Sequence, residues 1–138
     1  MTAALEAAAD VPSFALAVGV TQTKEAIMKT DKAPEIAALN KLARSAMGIA
    51  CRVYQTPGIS ALASRDQSAI REKVENFDAF TPDNDPHGER DFGAFEHNEH
   101  RIFWKIDYYD QTLTQGSEDP SDPRQTVRVL TIMLASEY

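Results

Sequence analysis

Ten carboxylates fall in two short stretches of this 138-residue chain. Residues 78–91 hold Asp78, Asp83, Asp85, Glu89 and Asp91 against Arg90 alone, a net charge of −4. Residues 107–122 hold Asp107, Asp110, Glu118, Asp119 and Asp122 with no base, a net charge of −5. Carboxylates packed together repel and raise one another's pKa. A fold keeps such a cluster when salt screens it, when local cationic groups and helix N-termini satisfy it, or when it has a cationic ligand. Asp83-x-Asp85-x-His87-Gly88 follows the opening of a calcium loop. The match ends there: the twelfth position is Ala94, where a bidentate glutamate is needed, and Pro86 interrupts the run. Glu89, Asp91 and Asp107 form a looser set of the kind that suits Mg²⁺ or Mn²⁺. With His87 as general acid or base, that set would serve a metal-dependent hydrolase.

The other reactive side chains carry less. His97 and His100 sit at a turn, three apart, and read as solvent-exposed turn residues rather than a zinc pair. Cys51 shares a strand face with Ile49 and Val53 and reads as a small buried residue. There is no glycine-rich phosphate loop, nucleophile elbow or Cys–His pair. No catalytic residue, metal ligand or cofactor is therefore assigned.

The elements that would position the carboxylates centre on Phe92–Asp110, FGAFEHNEHRIFWKIDYYD, which reads as a hairpin of two antiparallel strands, Phe92–Glu96 and Arg101–Tyr109. Its turn falls near Asn98, a residue that tolerates positive φ. A turn centred on Asn98-Glu99 sets His97 opposite His100 and Asp91 opposite Ile106. The start of one strand and the end of the next then share one end of the sheet, which makes the two acidic loops neighbours. Large apolar residues on both faces of the second strand mark it as central.

Upstream, Asp31 reads as the N-cap of a helix over 32–47. Ile36, Leu39, Leu42, Ala43, Ala46 and Met47 form its apolar stripe, Lys41 and Arg44 lie off it, and Gly48 stops it. Ile49–Thr56 alternates like a strand. Ser64 and Gln67 form a capping-box pattern for a helix over 65–77. Asp122-Pro123-Arg124-Gln125 looks like a helix start, and the apolar run after it is expected to be a buried helix over 123–136. Ala3–Ala9 reads as helical turns, Phe14–Val20 as a short strand or helix, and Thr23–Lys29 as another helical piece. The expected fold is α+β, with about three antiparallel strands and three helices. Residues 31–138 form one domain, preceded by a partly ordered N-terminal extension, residues 1–30.

The composition sets outer limits. A chain of this length buries roughly two-thirds of its unfolded surface and needs no metal or disulfide to fold. One cysteine excludes an internal disulfide. The N-terminus has no basic signal-peptide start, and FALAVGV is too short to span a bilayer, so the expected location is the cytoplasm. A net charge of −7 argues against direct binding to nucleic acid, which needs a basic footprint.

FDAFTPDNDPHGERDFGAF, FWKIDYYD, GSEDPSDP and RVLTIMLASEY together resemble an uncharacterised bacterial domain family, found on alphaproteobacterial chromosomes and plasmids. The resemblance covers about residues 36–138. It implies a small stand-alone protein and brings no catalytic residues. Members often carry glycine after the position of Asn98, where this chain has Glu99. The leading expectation is a non-enzymatic binding protein. Asp83, Asp85, Glu89, Asp91, Asp107, Asp110, Glu118 and Asp119 would form a negative rim that docks on a basic surface of a protein partner. Inhibition of a nucleic-acid-handling defence complex such as CRISPR is its sharpest form. The metal-dependent hydrolase is the alternative, and a homo-oligomer is the third reading.

Overall fold

The computed structural model describes residues 23–138, with side chains from residue 32 onward. The readings of Ala3–Ala9 and Phe14–Val20 lie outside the described residues. The order is α1 (Thr23–Ser45), β1 (Arg52–Gln55), α2 (Pro57–Ser60), α3 (Ser64–Glu75), β2 (Phe92–His97), β3 (His100–Tyr109) and β4 (Val127–Leu134), closed by a 3₁₀ turn at Ala135–Glu137. This is α+β: a four-stranded mixed sheet in the order β1-β4-β3-β2, with β1 parallel to β4 and the other pairs antiparallel.

The hairpin has the expected register. His97 pairs with His100, and the Ile106 N–H donates to the Asp91 carbonyl at 2.8 Å. Asn98 (φ 47°) and Glu99 (φ 69°) are both left-handed, as a two-residue turn of this twist requires. β3 lies between β2 and β4. Its inner face carries Ile102, Trp104 and Ile106, all fully buried. Gly93 lies opposite Trp104 on β2, and a Cβ there would run into the indole. The helices pack on this same face, with Ala43, Ile70 and Val74 completing the core with Ile59, Leu130 and Ile132.

The helix expected over 123–136 is not formed. Val127–Leu134 is β4, the second central strand. A short apolar run with no clear period fits a buried strand as well as a buried helix. Here the length and the β-branched Val127, Val129, Thr131 and Ile132 decide for the strand. The start pattern exists, but it closes a turn: Asp122 accepts from the Arg124 N–H at 2.9 Å and the Gln125 Nε2 at 2.8 Å.

α1 begins at Thr23 rather than Lys32, so Thr23–Lys29 belongs to it, Asp31 is no cap, and Pro34 is interior. Ile49, expected in the first strand, is 90% exposed in the turn before β1. Ser64 is the first residue of α3 and its cap position is Ala63. Arg44, expected outside the apolar stripe, is 3% exposed. Its Nη1 donates to the carbonyls of Val74 and Phe77, both at 2.9 Å, and so caps the C-terminal end of α3. The guanidinium lies 4.9 Å from the Trp104 ring, and burial lowers its pKa. Among the described residues, no helix is long and apolar enough to cross a membrane.

Candidate functional site

Asn40 stands on the inner side of α1, fully buried, where a polar side chain needs partners. Its Nδ2 donates to the Glu89 carbonyl at 2.9 Å and to the Tyr108 hydroxyl at 2.8 Å. Its Oδ1 accepts from Arg128 Nε at 2.7 Å. The Tyr108 hydroxyl donates in turn to Glu89 Oε1 at 2.9 Å, and Arg128 Nη2 donates to the Pro120 carbonyl. Glu89 belongs to the first acidic loop and Pro120 to the second. One buried hub on α1, β3 and β4 therefore ties both loops to the same end of the sheet. Lys32 of α1 adds a second tie, donating to Asp119 Oδ2 at 3.3 Å.

The expected carboxylates fall into three environments. Glu89 and Asp91 are half-buried beside Tyr108. Burial raises the Glu89 pKa, against the Tyr108 hydrogen bond. Burial, followed by the charge of Glu89, pushes Asp91 up to about 7. Burial and the charges of Asp91 and Glu89 hold the Tyr108 phenol well above its ordinary range.

Asp107 is apart from these. β3 alternates, so Asp107 and Lys105 lie on the face opposite Tyr108. There the two form a buried ion pair.

The remaining carboxylates are at the surface of the loops, and most organise their own backbone. Asp85 accepts from the Arg90 N–H at 2.9 Å. Asp110 accepts from the N–H groups of Thr112 and Thr114, both at 3.1 Å. Asp119 accepts from Ser121 Oγ at 2.5 Å. These donors keep Asp110 and Asp119 below the ordinary carboxylate range, Thr112 contributing most at Asp110 and Ser121 at Asp119. Asp78, Asp83 and Glu118 are exposed. Arg90, at φ 55°, lies with its guanidinium 5.3 Å from the Phe80 ring and lines a shallow groove of about 420 Å³ with Asp85 and His87. Among the described residues, no three His, Cys, Asp or Glu side chains are grouped to hold a metal ion.

His97 departs from the turn-residue reading. It is 9% exposed, with Nε2 3.0 Å from Asp66 Oδ1 and Nδ1 3.2 Å from Lys73 Nζ. An ammonium only donates, so Nδ1 accepts and Nε2–H donates to Asp66. The pair latches the hairpin turn onto α3. His100 is exposed. Cys51 is buried, its Sγ 3.4 Å from the Ala43 carbonyl, and burial raises its pKa.

Asn40, Tyr108 and Arg128 were not singled out by sequence reasoning. The available signal was a polar residue on an apolar stripe: Asn40 falls between Ile36 and Ala43 at helical spacing, and Arg128 interrupts the run of β4.

A family model described as "Protein of unknown function (DUF3768)" matches residues 55–137, which is 83 of the 138 residues. The chain belongs to this family. The match to DUF3768 takes in α2, α3, β2, β3 and β4 with both acidic loops, and begins at the last residue of β1. It is shorter at its N-terminal end than the resemblance read from residue 36, and leaves α1 with Asn40 outside. No curated protein matched the chain, and no solved structure did.

Proposed function

We propose that this protein is a non-enzymatic binding protein whose acidic end docks on a basic surface of a protein partner. The observation that carries the reading is the hub: Asn40, Tyr108 and Arg128 bond to Glu89 of one loop and Pro120 of the other. With the loops held side by side, their exposed carboxylates add into one field, to which Asp107, paired with Lys105, and Asp91, with a pKa of about 7, contribute little. Such a field speeds association with a cationic surface and can occupy a site meant for phosphates. Asp78, Asp83 and Glu118 would contact the partner first, with Asp85, Asp110 and Asp119 behind them and Glu89 and Asp91 supporting from inside, while Asp107 stays paired with Lys105 on the other face.

A nucleic-acid-handling complex offers a basic surface of this kind. The resemblance to bacterial proteins carried on plasmids favours inhibition of a host defence complex such as CRISPR. Affinity capture at low salt tests this: a retained partner that elutes as salt rises supports it, and recovery of no partner opposes it. The alternative is a metal-dependent hydrolase using Glu89, Asp91, Asp107 and His87. Calorimetry with Mg²⁺, Mn²⁺ and Ca²⁺ separates the two. Binding that raises the melting temperature favours the alternative; no heat and no shift at millimolar metal removes it.

A further inference from the structure

The turn of the hairpin, where it meets α3, holds a second group of reactive side chains. Asp66, Ile70 and Lys73 fall on one face of α3, at spacings of four and three. His97, at the end of β2, bridges the two helical turns between Asp66 and Lys73. Its ring is buried, while the lysine is exposed. Lys32 and Lys105 face carboxylates, which hold an ammonium in its charged form. The partners of Lys73 Nζ are His97 Nδ1 and the Glu96 carbonyl, both at 3.2 Å. Neither is a carboxylate, and Nδ1 is a base.

The order of the three groups is that of an activated nucleophile. In such a set the nucleophile and its base stand within hydrogen-bond reach, roughly 2.6–3.2 Å, and a third group orients the base. Nδ1 turns its lone pair to Nζ because Nε2–H is held 3.0 Å from Asp66 Oδ1. Asn98 Nδ2 donates to the same oxygen at 3.0 Å and keeps it in place. The His97 hydrogen bond, helped by the charge of Arg65, holds the Asp66 carboxyl below the ordinary carboxylate range, so the orienting group is ionised. The remaining charged groups of the hairpin end look elsewhere. Glu96 pairs with Arg101 on the opposite face, and His100 is exposed across the turn. Neither partner of Nζ is an acid. That favours transfer of an acyl group over condensation with a carbonyl, where a hydroxyl must be protonated to leave.

We propose that Lys73 is an acylation site: its ε-amine is the nucleophile toward an activated acyl donor, an acyl phosphate or acyl thioester, with His97 as the base and Asp66 as the positioning residue. The ammonium gives up a first proton to water, and the neutral amine attacks the acyl carbon. As the N–C bond forms, the C–O bond of the acyl phosphate or the C–S bond of the thioester breaks. The leaving group departs with that electron pair. His97 Nδ1 takes the second proton from Nζ and returns it to the departing group, while the Asp66 carboxylate stabilises the imidazolium. The product is a neutral amide with one N–H in place of three. It can serve only one of the two acceptors, so acylation loosens the hold of the hairpin on α3.

Site-resolved mass spectrometry of the full chain incubated with acetyl phosphate, and separately with N,S-diacetylcysteamine, tests the assignment. Lys41, exposed on α1, is the internal reference. Lys73 is expected to be acetylated about tenfold or more faster than Lys41 with at least one donor, and the donor that works identifies the source. His97→Gln brings Lys73 down to the Lys41 rate and leaves Lys41 unchanged. Asp66→Asn keeps an acceptor for Nε2–H and lowers the Lys73 rate severalfold. In wild type the ratio of the Lys73 rate to the Lys41 rate falls as acid protonates His97. In Asp66→Asn that fall moves to lower pH, which a merely structural role would not produce. Equal rates at Lys73 and Lys41 with both donors overturn the proposal. So does a fast Lys73 indifferent to His97→Gln, whose reactivity would come from exposure alone.

Discussion

Asp91 holds its carboxyl where ionisation is costly. Burial, followed by Glu89, moves its pKa to about 7, against about 3.9 for a free aspartate. A group whose folded pKa is raised contributes stability that is complete below the unfolded value. That contribution is lost as pH rises through the folded value. The chain is therefore expected to lose stability between about pH 4 and about pH 7, by a few kcal/mol in total from this group. Urea unfolding across that range should show the decline in wild type and a flatter profile in Asp91→Asn, which is also more stable at neutral pH. A profile identical in both proteins would place the Asp91 carboxyl in water. Arg44 is the converse case, a buried charge stabilised by what it satisfies. Arg44→Ala takes the guanidinium from the carbonyls of Val74 and Phe77, of which Val74 keeps the Phe77 N–H at 3.3 Å. The expected loss is about 3 kcal/mol in chemical denaturation; a loss within error would mean that water replaces the guanidinium.

The hairpin carries two opposite tests. Asn98 and Glu99 both adopt positive φ, which asparagine tolerates and glutamate resists. Glu99→Gly is expected to stabilise the chain by about 1 kcal/mol, read as a higher melting temperature. Gly93→Ala is expected to destabilise by about 2–3 kcal/mol, because its methyl would enter the space of the Trp104 indole. An unchanged melting temperature for Gly93→Ala would mean that the indole swings aside at little cost. The hairpin was legible because alternation, an Asn-centred turn and flanking loops all agree at short range. That agreement also fixed the register and brought the acidic loops to one end. β4 was misread as a helix because its run is apolar on both faces, so periodicity says little, and a good helix-start pattern precedes it. Its place between β1 and β3 depends on pairings far away in sequence. Arg44 and His97 were misjudged for a related reason. Polar side chains read as surface residues until the structure shows what they bond to, here the end of α3 and the Asp66–Lys73 pair.

At the scale of the whole molecule, charge is segregated. The acidic loops meet where Asn40, Tyr108 and Arg128 hold them, while the segment 36–65, which supplies Asn40, contains no acid. The hub was not legible from sequence, since its members lie 20 to 88 residues apart and only the fold unites them. The most direct test of the docking account is a parallel capture experiment at low salt. Wild type is compared with a variant carrying Asp78→Asn, Asp83→Asn and Glu118→Gln, three exposed positions whose loss should leave the melting temperature unchanged. The account predicts a partner held by wild type, released as salt rises and lost from the variant; equal retention by both proteins, or retention indifferent to salt, would contradict it.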